Sequence, residues 1–181
     1  MSAAQPVLIV TGPPGVGKTS ACALLAERSS LGVHLESDAF FRFIRAGYVE
    51  PWKPESQAQN RGVMGVVGGA AAGYADAGYR TIVDGIVIPG WFFEPLRDAL
   101  RTAGHPVAYA VLRAPLAVCV ERVDEREGGP LAEPAAIEQL WESFAELGEL
   151  ERHAVDLAGE TPGEVAEMLE ALLASGRLDA T

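Results

Sequence analysis

The chain has 181 residues, of which 49% are hydrophobic, and a formal net charge of −11. That is the size and composition of one globular domain. It excludes a disordered chain, and it excludes a broad nucleic-acid grip, which needs a basic face. A single nucleotide in a local pocket stays compatible with the charge.

The opening residues, MSAAQPVLIVTG, carry no basic start, and their apolar run is too short for a signal or a membrane span. A cytoplasmic location with no membrane partner is the expectation. Val7 to Thr11 is a short β-branched run and reads as a buried strand. Lys18 to Arg28 reads as a helix with Ala21, Leu24 and Leu25 on one face. Gly32 to Glu36 is a second strand, Asp38 to Arg45 a short helix, and Ser56 to Ala77 a long helix rich in Ala and Gly. Arg80 to Asp84 is the third strand, and Glu94 to Thr102 a helix with Pro95 in its first turn. Val107 to Leu112 is the fourth strand. Pro115 to Asp124 is a helix that runs into a polar stretch, Glu125 to Glu133. Pro134 to Glu151 reads as one helix carrying Ile137, Leu140, Trp141, Phe144 and Leu147. Ala154 to Leu157 is a last short strand and Pro162 to Leu173 the closing helix. Cys22 and Cys119 form no motif and suit apolar helix faces better than a disulfide or a metal site.

Short apolar strands alternating with helices predict an α/β domain with a parallel sheet covered on both faces. Ligands of such sheets sit outside the carboxyl ends of the strands. Gly12-Pro13-Pro14-Gly15-Val16-Gly17-Lys18-Thr19 stands there and fits G-x-x-x-x-G-K-[ST]. Glycines let the backbone curl so that its N–H groups face phosphate oxygens, and the next helix offers its N-terminus to the same anion. Lys18 reaches the β- and γ-phosphates, and the Thr19 hydroxyl can ligate Mg²⁺. Ser20 is counted with these phosphate-binding residues. Lys18 and Lys53 are the only lysines of the chain, so one of two falls at the required place. ATP and Mg²⁺ are the expected cofactors.

Asp38, after the second strand in Ser37-Asp38-Ala39-Phe40-Phe41, either caps a helix or accepts the proton of an attacking hydroxyl. Asp84, ending the third strand before Gly85, either closes a turn or joins Thr19 in holding Mg²⁺. Arg122 and Arg126, four apart, share a helix face; they either pair with Asp124 and Glu125 or serve the nucleotide, one on the base and one on the transferring phosphoryl group. Gly128-Gly129 would supply a hinge for closure. Arg42, Arg45, Tyr48, Trp52, Lys53, Gln59, Asn60 and Arg61 mix aromatic and polar groups as an acceptor pocket does; Arg42 and Arg61 are the candidate acceptor-binding cations. Trp91, Phe92 and Phe93 read first as packing, with an apolar wall of that pocket as the alternative.

Together, GPPGVGKT at 12–19, SDAFF at 37–41, TIVDG at 81–85 and LRAPLAVCVERVDER at 112–126 resemble the P-loop kinases of the nucleoside-monophosphate-kinase and shikimate-kinase type. Within that group the chain is similar to small antibiotic- and metabolite-phosphorylating members: chloramphenicol phosphotransferase, gluconate kinase and the tunicamycin-resistance proteins. The resemblance implies a three-layer P-loop NTPase sandwich over residues 1–181, a five-stranded parallel sheet of order 2-3-1-4-5, and a short lid at about 124–133. It implies that Asp38 stands beside the acceptor hydroxyl, Arg122 stacks on adenine, Arg126 reaches the γ-phosphate from the lid, and Gly159, within Ala158 to Thr161, borders the adenine. The lid is short, and the acceptor region carries no second nucleotide-recognition pattern. The acceptor therefore stays open, as does the oligomeric state. The function expected is γ-phosphoryl transfer from ATP to a hydroxyl of a small molecule, with Lys18, Asp38 and Arg126 catalytic and no nucleic-acid partner. The alternative is a nucleotide-dependent binding or regulatory protein without transfer.

Overall fold

Every residue of Val7–Thr11, the first strand (β1), is buried, as an apolar β-branched run covered on both faces should be. The structure, a computed structural model, describes residues 5–124 and 134–180. Beside β1 lie β3 (Arg80–Asp84) and β4 (Val107–Arg113), and outside these β2 (Gly32–Glu36) and β5 (Ala154–Asp156). All four pairings are parallel, and the order is 2-3-1-4-5, as expected.

The helices are α1 (Lys18–Glu27), α2 (Ser37–Arg42), α3 (Gln57–Asp76), α4 (Phe93–Thr102), α5 (Leu116–Asp124), α6 (Pro134–Glu142) and α7 (Pro162–Ala174). Strand alternation divides the core in two. Leu8, Val10 and Ile82 pack with Ala21, Cys22 and Leu25 of α1 and Val165 and Leu169 of α7. Ile9, Val83 and Tyr109 pack with Met64 and Val67 of α3 and Leu96 and Leu100 of α4. The sheet is therefore the middle of three layers. The small residues of α3 let it approach α4: a Cβ at Gly68 would lie 2.7 Å from the Cβ of Ala99.

Two expectations need correction. Leu24 is not on the packed face of α1. It is exposed, and the buried face is Ala21, Cys22, Leu25 and Ala26. The expected helix from Pro134 to Glu151 ends at Glu142. There the hydrogen bonds tighten to three-residue turns, with Phe144 N–H donating to Trp141 and Ala145 N–H to Glu142. Gly148 then takes φ 57, outside the right-handed helical region, and a 3-10 segment covers Gly148–His153. The lid arginine Arg126, Glu125 and the Gly128-Gly129 hinge lie outside the described residues. Among the described residues, no helix is long and apolar enough to cross a membrane.

Candidate functional site

The loop between β1 and α1 turns at the carboxyl end of the sheet. Gly15 allows that turn, with φ 78 and no room for a side chain: a Cβ would lie 2.2 Å from the Cys119 carbonyl oxygen of α5. Val16 plugs the loop into the core at 1% exposure. No side chain caps α1, whose N-cap is Gly17, so its first backbone N–H groups stay open to an anion. The Lys18 ammonium, buried, donates to the carbonyls of Gly12 and Pro13, each at 2.9 Å. Burial lowers its pKa, and the charges of Asp84 and Asp38 pull it back up.

Asp84 ends β3 with its carboxylate buried against α1. Its Oδ2 accepts a 2.7 Å hydrogen bond from the Thr19 hydroxyl. Its Oδ1 stands 3.1 Å from Nε2 of His34, with no well-directed hydrogen bond between them. Two hard oxygens, one hydroxyl and one carboxylate, thus meet beside the phosphate loop, a donor set that suits Mg²⁺ together with phosphate oxygens. Thr19 and Asp84 fit the ion that the motif implies.

Asp38 lies in the first turn of α2, whose N-cap is Glu36, and no side-chain cap bond forms there. The capping role is therefore not what the residue does. A Cβ at Gly85 would lie 1.8 Å from Oγ of Ser37, so α2 presses on the end of β3 and brings Asp38 towards Lys18 and Asp84. Asp38 keeps much of its surface in solvent, yet protein atoms crowd it. Solvent limits the size of the effect, and its direction is upward: desolvation raises the carboxyl pKa, Lys18 opposes this, and Asp84 adds to it. Arg42, one turn further along α2, favours the ionised form.

The segment after β3 is pinned from two strands. Val87 N–H donates to Oγ1 of Thr11 and the Tyr109 hydroxyl donates to the Val87 carbonyl, both at 2.8 Å. It leads to Trp91, half-buried and stacked on Phe92 at 4.2 Å, while Phe92 and Phe93 are core residues.

Arg122 lies on the edge of the phosphate loop, its Nη1 donating to the Val16 carbonyl at 3.4 Å. After β5, Ala158–Thr161 is braced by its own side chains: Glu160 accepts from the N–H groups of Ala158 and Gly159, and Thr161 and Glu164 form a capping box. A Cβ at Gly159 would meet nothing within 4 Å, so this loop faces open space. Ser20 is exposed on α1, and Arg61 is exposed near the start of α3. Among the described residues, Arg61 makes no ion pair or hydrogen bond to this centre. The structure thus brings Gly12 to Thr19, Asp38, Asp84 and Arg122 together, with Arg42 nearby, and leaves Arg61 apart. Sequence reasoning missed His34. A histidine between Val33 and Leu35 of a strand was the available signal, but its neighbour Asp84 belongs to another strand.

The same fold recurs in solved structures. The tunicamycin resistance protein of Deinococcus radiodurans superposes with a TM-score of 0.70 at 25% identity, over 93% of this chain and 95% of that one. A gluconokinase of Sinorhizobium meliloti 1021 gives 0.68 at 21%, over 95% and 93%. The shikimate kinase of Acinetobacter baumannii, solved with shikimate, gives 0.66 at 19%, over 96% of both chains. No curated protein matches the chain by sequence. A family profile described as "AAA domain" matches residues 7–147, a span that includes the phosphate loop, Asp38, Asp84 and Arg122. That match covers most of the chain, and the chain belongs to this AAA-domain family of P-loop proteins.

Proposed function

We propose that the protein is an ATP-dependent kinase that transfers the γ-phosphoryl group to a hydroxyl of a small molecule. The observation that carries this reading is the convergence of three elements at one sheet end: the Lys18 loop, the Thr19–Asp84 pair at 2.7 Å, and the uncapping carboxylate of Asp38. A nucleotide switch needs the first two and has no use for the third. Several proteins of this fold are small-molecule kinases by name, the gluconokinase and shikimate kinase among them.

The loop amides and the α1 N-terminus bind the phosphates, and Lys18 exchanges its two carbonyl partners for β- and γ-phosphate oxygens. Thr19 and Asp84 would hold Mg²⁺, which when bound would neutralise charge on the phosphates. Asp38 accepts a hydrogen bond from the acceptor hydroxyl, aligns it, and takes its proton as the oxygen–phosphorus bond forms. Arg122 lies against the loop on the nucleotide side, and Arg126 acts from the lid, at about 124–133 of a single domain. Gly159 borders the base, and Arg42, beside Asp38 on α2, faces the acceptor. We place the protein in the cytoplasm, where ATP is at hand.

An ATP-consumption screen over antibiotics, nucleosides, sugars and sugar acids tests the reading. One acceptor class should raise ADP release in wild type and not in Lys18→Ala. Tight ATP binding with no acceptor anywhere in the screen would favour the binding-protein alternative.

A further inference from the structure

Behind the phosphate loop, on the α1 side of the sheet, three side chains of different chemistry converge. Cys22 comes from α1, His34 from β2 and Asp84 from β3, and their ligating atoms lie within 4.8 Å of one another. Sheet order makes this possible: β2 pairs with β3, His34 sits opposite Ile82, and the side chains of 82 and 84 share one face. Packing accounts for Cys22, which is fully buried. It does not account for His34, whose Nε2 is shut off from solvent, points to this cluster and, among the described residues, meets the Asp84 carboxylate at 3.1 Å without a well-directed hydrogen bond. A buried nitrogen without a well-directed hydrogen bond costs up to roughly 1–3 kcal/mol, and an ion shared with the Asp84 carboxylate would offset that cost.

We propose that Cys22, His34 and Asp84 form a binding site for a soft divalent cation of the Zn²⁺ kind, separate from the Mg²⁺ of the nucleotide although it uses the second oxygen of Asp84. A thiolate, an imidazole and a carboxylate are the three donor types zinc takes, whereas Mg²⁺ takes oxygen. A tetrahedral ion with bonds of about 2.0–2.3 Å spaces its ligand atoms roughly 3.3–3.6 Å apart. The His34–Asp84 separation of 3.1 Å is slightly inside that spacing, the widest separation in the cluster is within 4.8 Å, and the cluster reaches the tetrahedral spacing with side-chain adjustments of about 1 Å. A cleft of about 440 Å³, bounded by Glu27, Gly32 and Tyr79, reaches the His34 ring from the solvent side. On binding, the Cys22 S–H bond breaks, a sulfur–metal bond forms, and the proton passes to solvent. In the metal-free protein the thiol keeps that proton, because burial raises its pKa.

The test uses the tag-free full chain, chelator-treated, titrated with Co²⁺ in the absence of nucleotide. It is therefore independent of the kinase reading, which can fail while this stands, and the reverse. One equivalent of Co²⁺ should produce a thiolate-to-metal charge-transfer band, and Zn²⁺ should bleach it. Cys119→Ala should keep the band and Cys22→Ala should lose it. His34→Gln should weaken Co²⁺ binding at least as much as loss of an outer-sphere partner does, roughly 10–100-fold. A titration with no thiolate band, or a band that survives in Cys22→Ala, overturns the proposal. If Cys22→Ala does not fold, unchanged Co²⁺ affinity in His34→Gln overturns it alone.

Discussion

The Thr19 hydroxyl donates a 2.7 Å hydrogen bond to Asp84, tying the first turn of α1 to the end of β3. The pair is made across 65 residues of chain, and it sets two oxygens where a phosphate-bound cation would need them. Asp84→Asn keeps the shape and removes the charge. ATP turnover in this variant should require about 10–100-fold more Mg²⁺. A Mg²⁺ titration of the rate, with circular dichroism to confirm the fold, measures the shift; an unchanged midpoint would separate Asp84 from the metal.

Asp38→Asn should leave ATP affinity close to wild type and cut turnover roughly 10²-fold or more, the scale of a lost general base. On the kinase reading, the acid limb of the wild-type pH–rate profile should belong to the same group. Only the ionised carboxylate accepts a proton, and burial among protein atoms raises its pKa above the ordinary aspartate value of 3.8. Turnover should therefore fall as pH drops through a value above that figure, and Asp38→Asn should flatten the limb. Steady-state rates on both proteins across pH decide the matter, once the acceptor is known.

Gly15→Ala tests the fit of the loop against α5. The added methyl meets the Cys119 carbonyl oxygen at 2.2 Å on a backbone with φ 78, and that contact is with backbone rather than a movable side-chain tip. The expected cost is about 1–3 kcal/mol of stability, with ATP affinity lost in the fraction that remains folded. Denaturant unfolding and calorimetry read the two effects separately.

The proposed roles of Arg122 and Arg126 differ and can be tested apart. Arg126→Ala should lower turnover more than ATP affinity, because its charge matters most as the phosphoryl group departs. Arg122→Ala should mainly raise the Kd for ATP, since its contact with the loop side exists before and during transfer. Steady-state kinetics on the two variants test this, and the opposite pattern would exchange their roles.

Far from this centre, His153 is fully buried on the edge of the Tyr109 ring, with Arg152, Arg177 and Asp179 around it. Burial and the two arginines lower its pKa from 6.5. Below 6.5 the unfolded chain gains a proton there that the folded chain refuses, so this residue's contribution is present above 6.5 and lost as pH falls. His153→Gln should shrink the drop in Tm between pH 7 and pH 5.5. An identical drop in both proteins would show that other groups carry it.

What the sequence made legible follows from the range of each signal. The strands were bounded by apolar runs and turn residues, and the phosphate loop by a local pattern, so both could be read along the chain. Leu24 was misplaced because α1 is covered on the Ala21 and Leu25 side by α7, and periodicity alone does not say where a helix finds its cover. Phe144 and Leu147 looked helical because they are buried; the turns after Glu142 keep them facing the core without the helix. The approach of His34 to Asp84 was invisible because it depends on β2 lying beside β3, which no local pattern states. The sheet order itself came from resemblance.

The central place of β1 also sets a schedule for biosynthesis. Its five residues leave the ribosome before either neighbour exists, and β3 and β4 begin roughly 70 and 95 residues later. At about 5–20 residues per second, an apolar segment that must end with both edges paired waits several seconds with both edges bare. Slow translation between Thr11 and Val107 therefore lengthens the period in which a neighbouring nascent chain, or a chaperone, can take the place of β3 or β4.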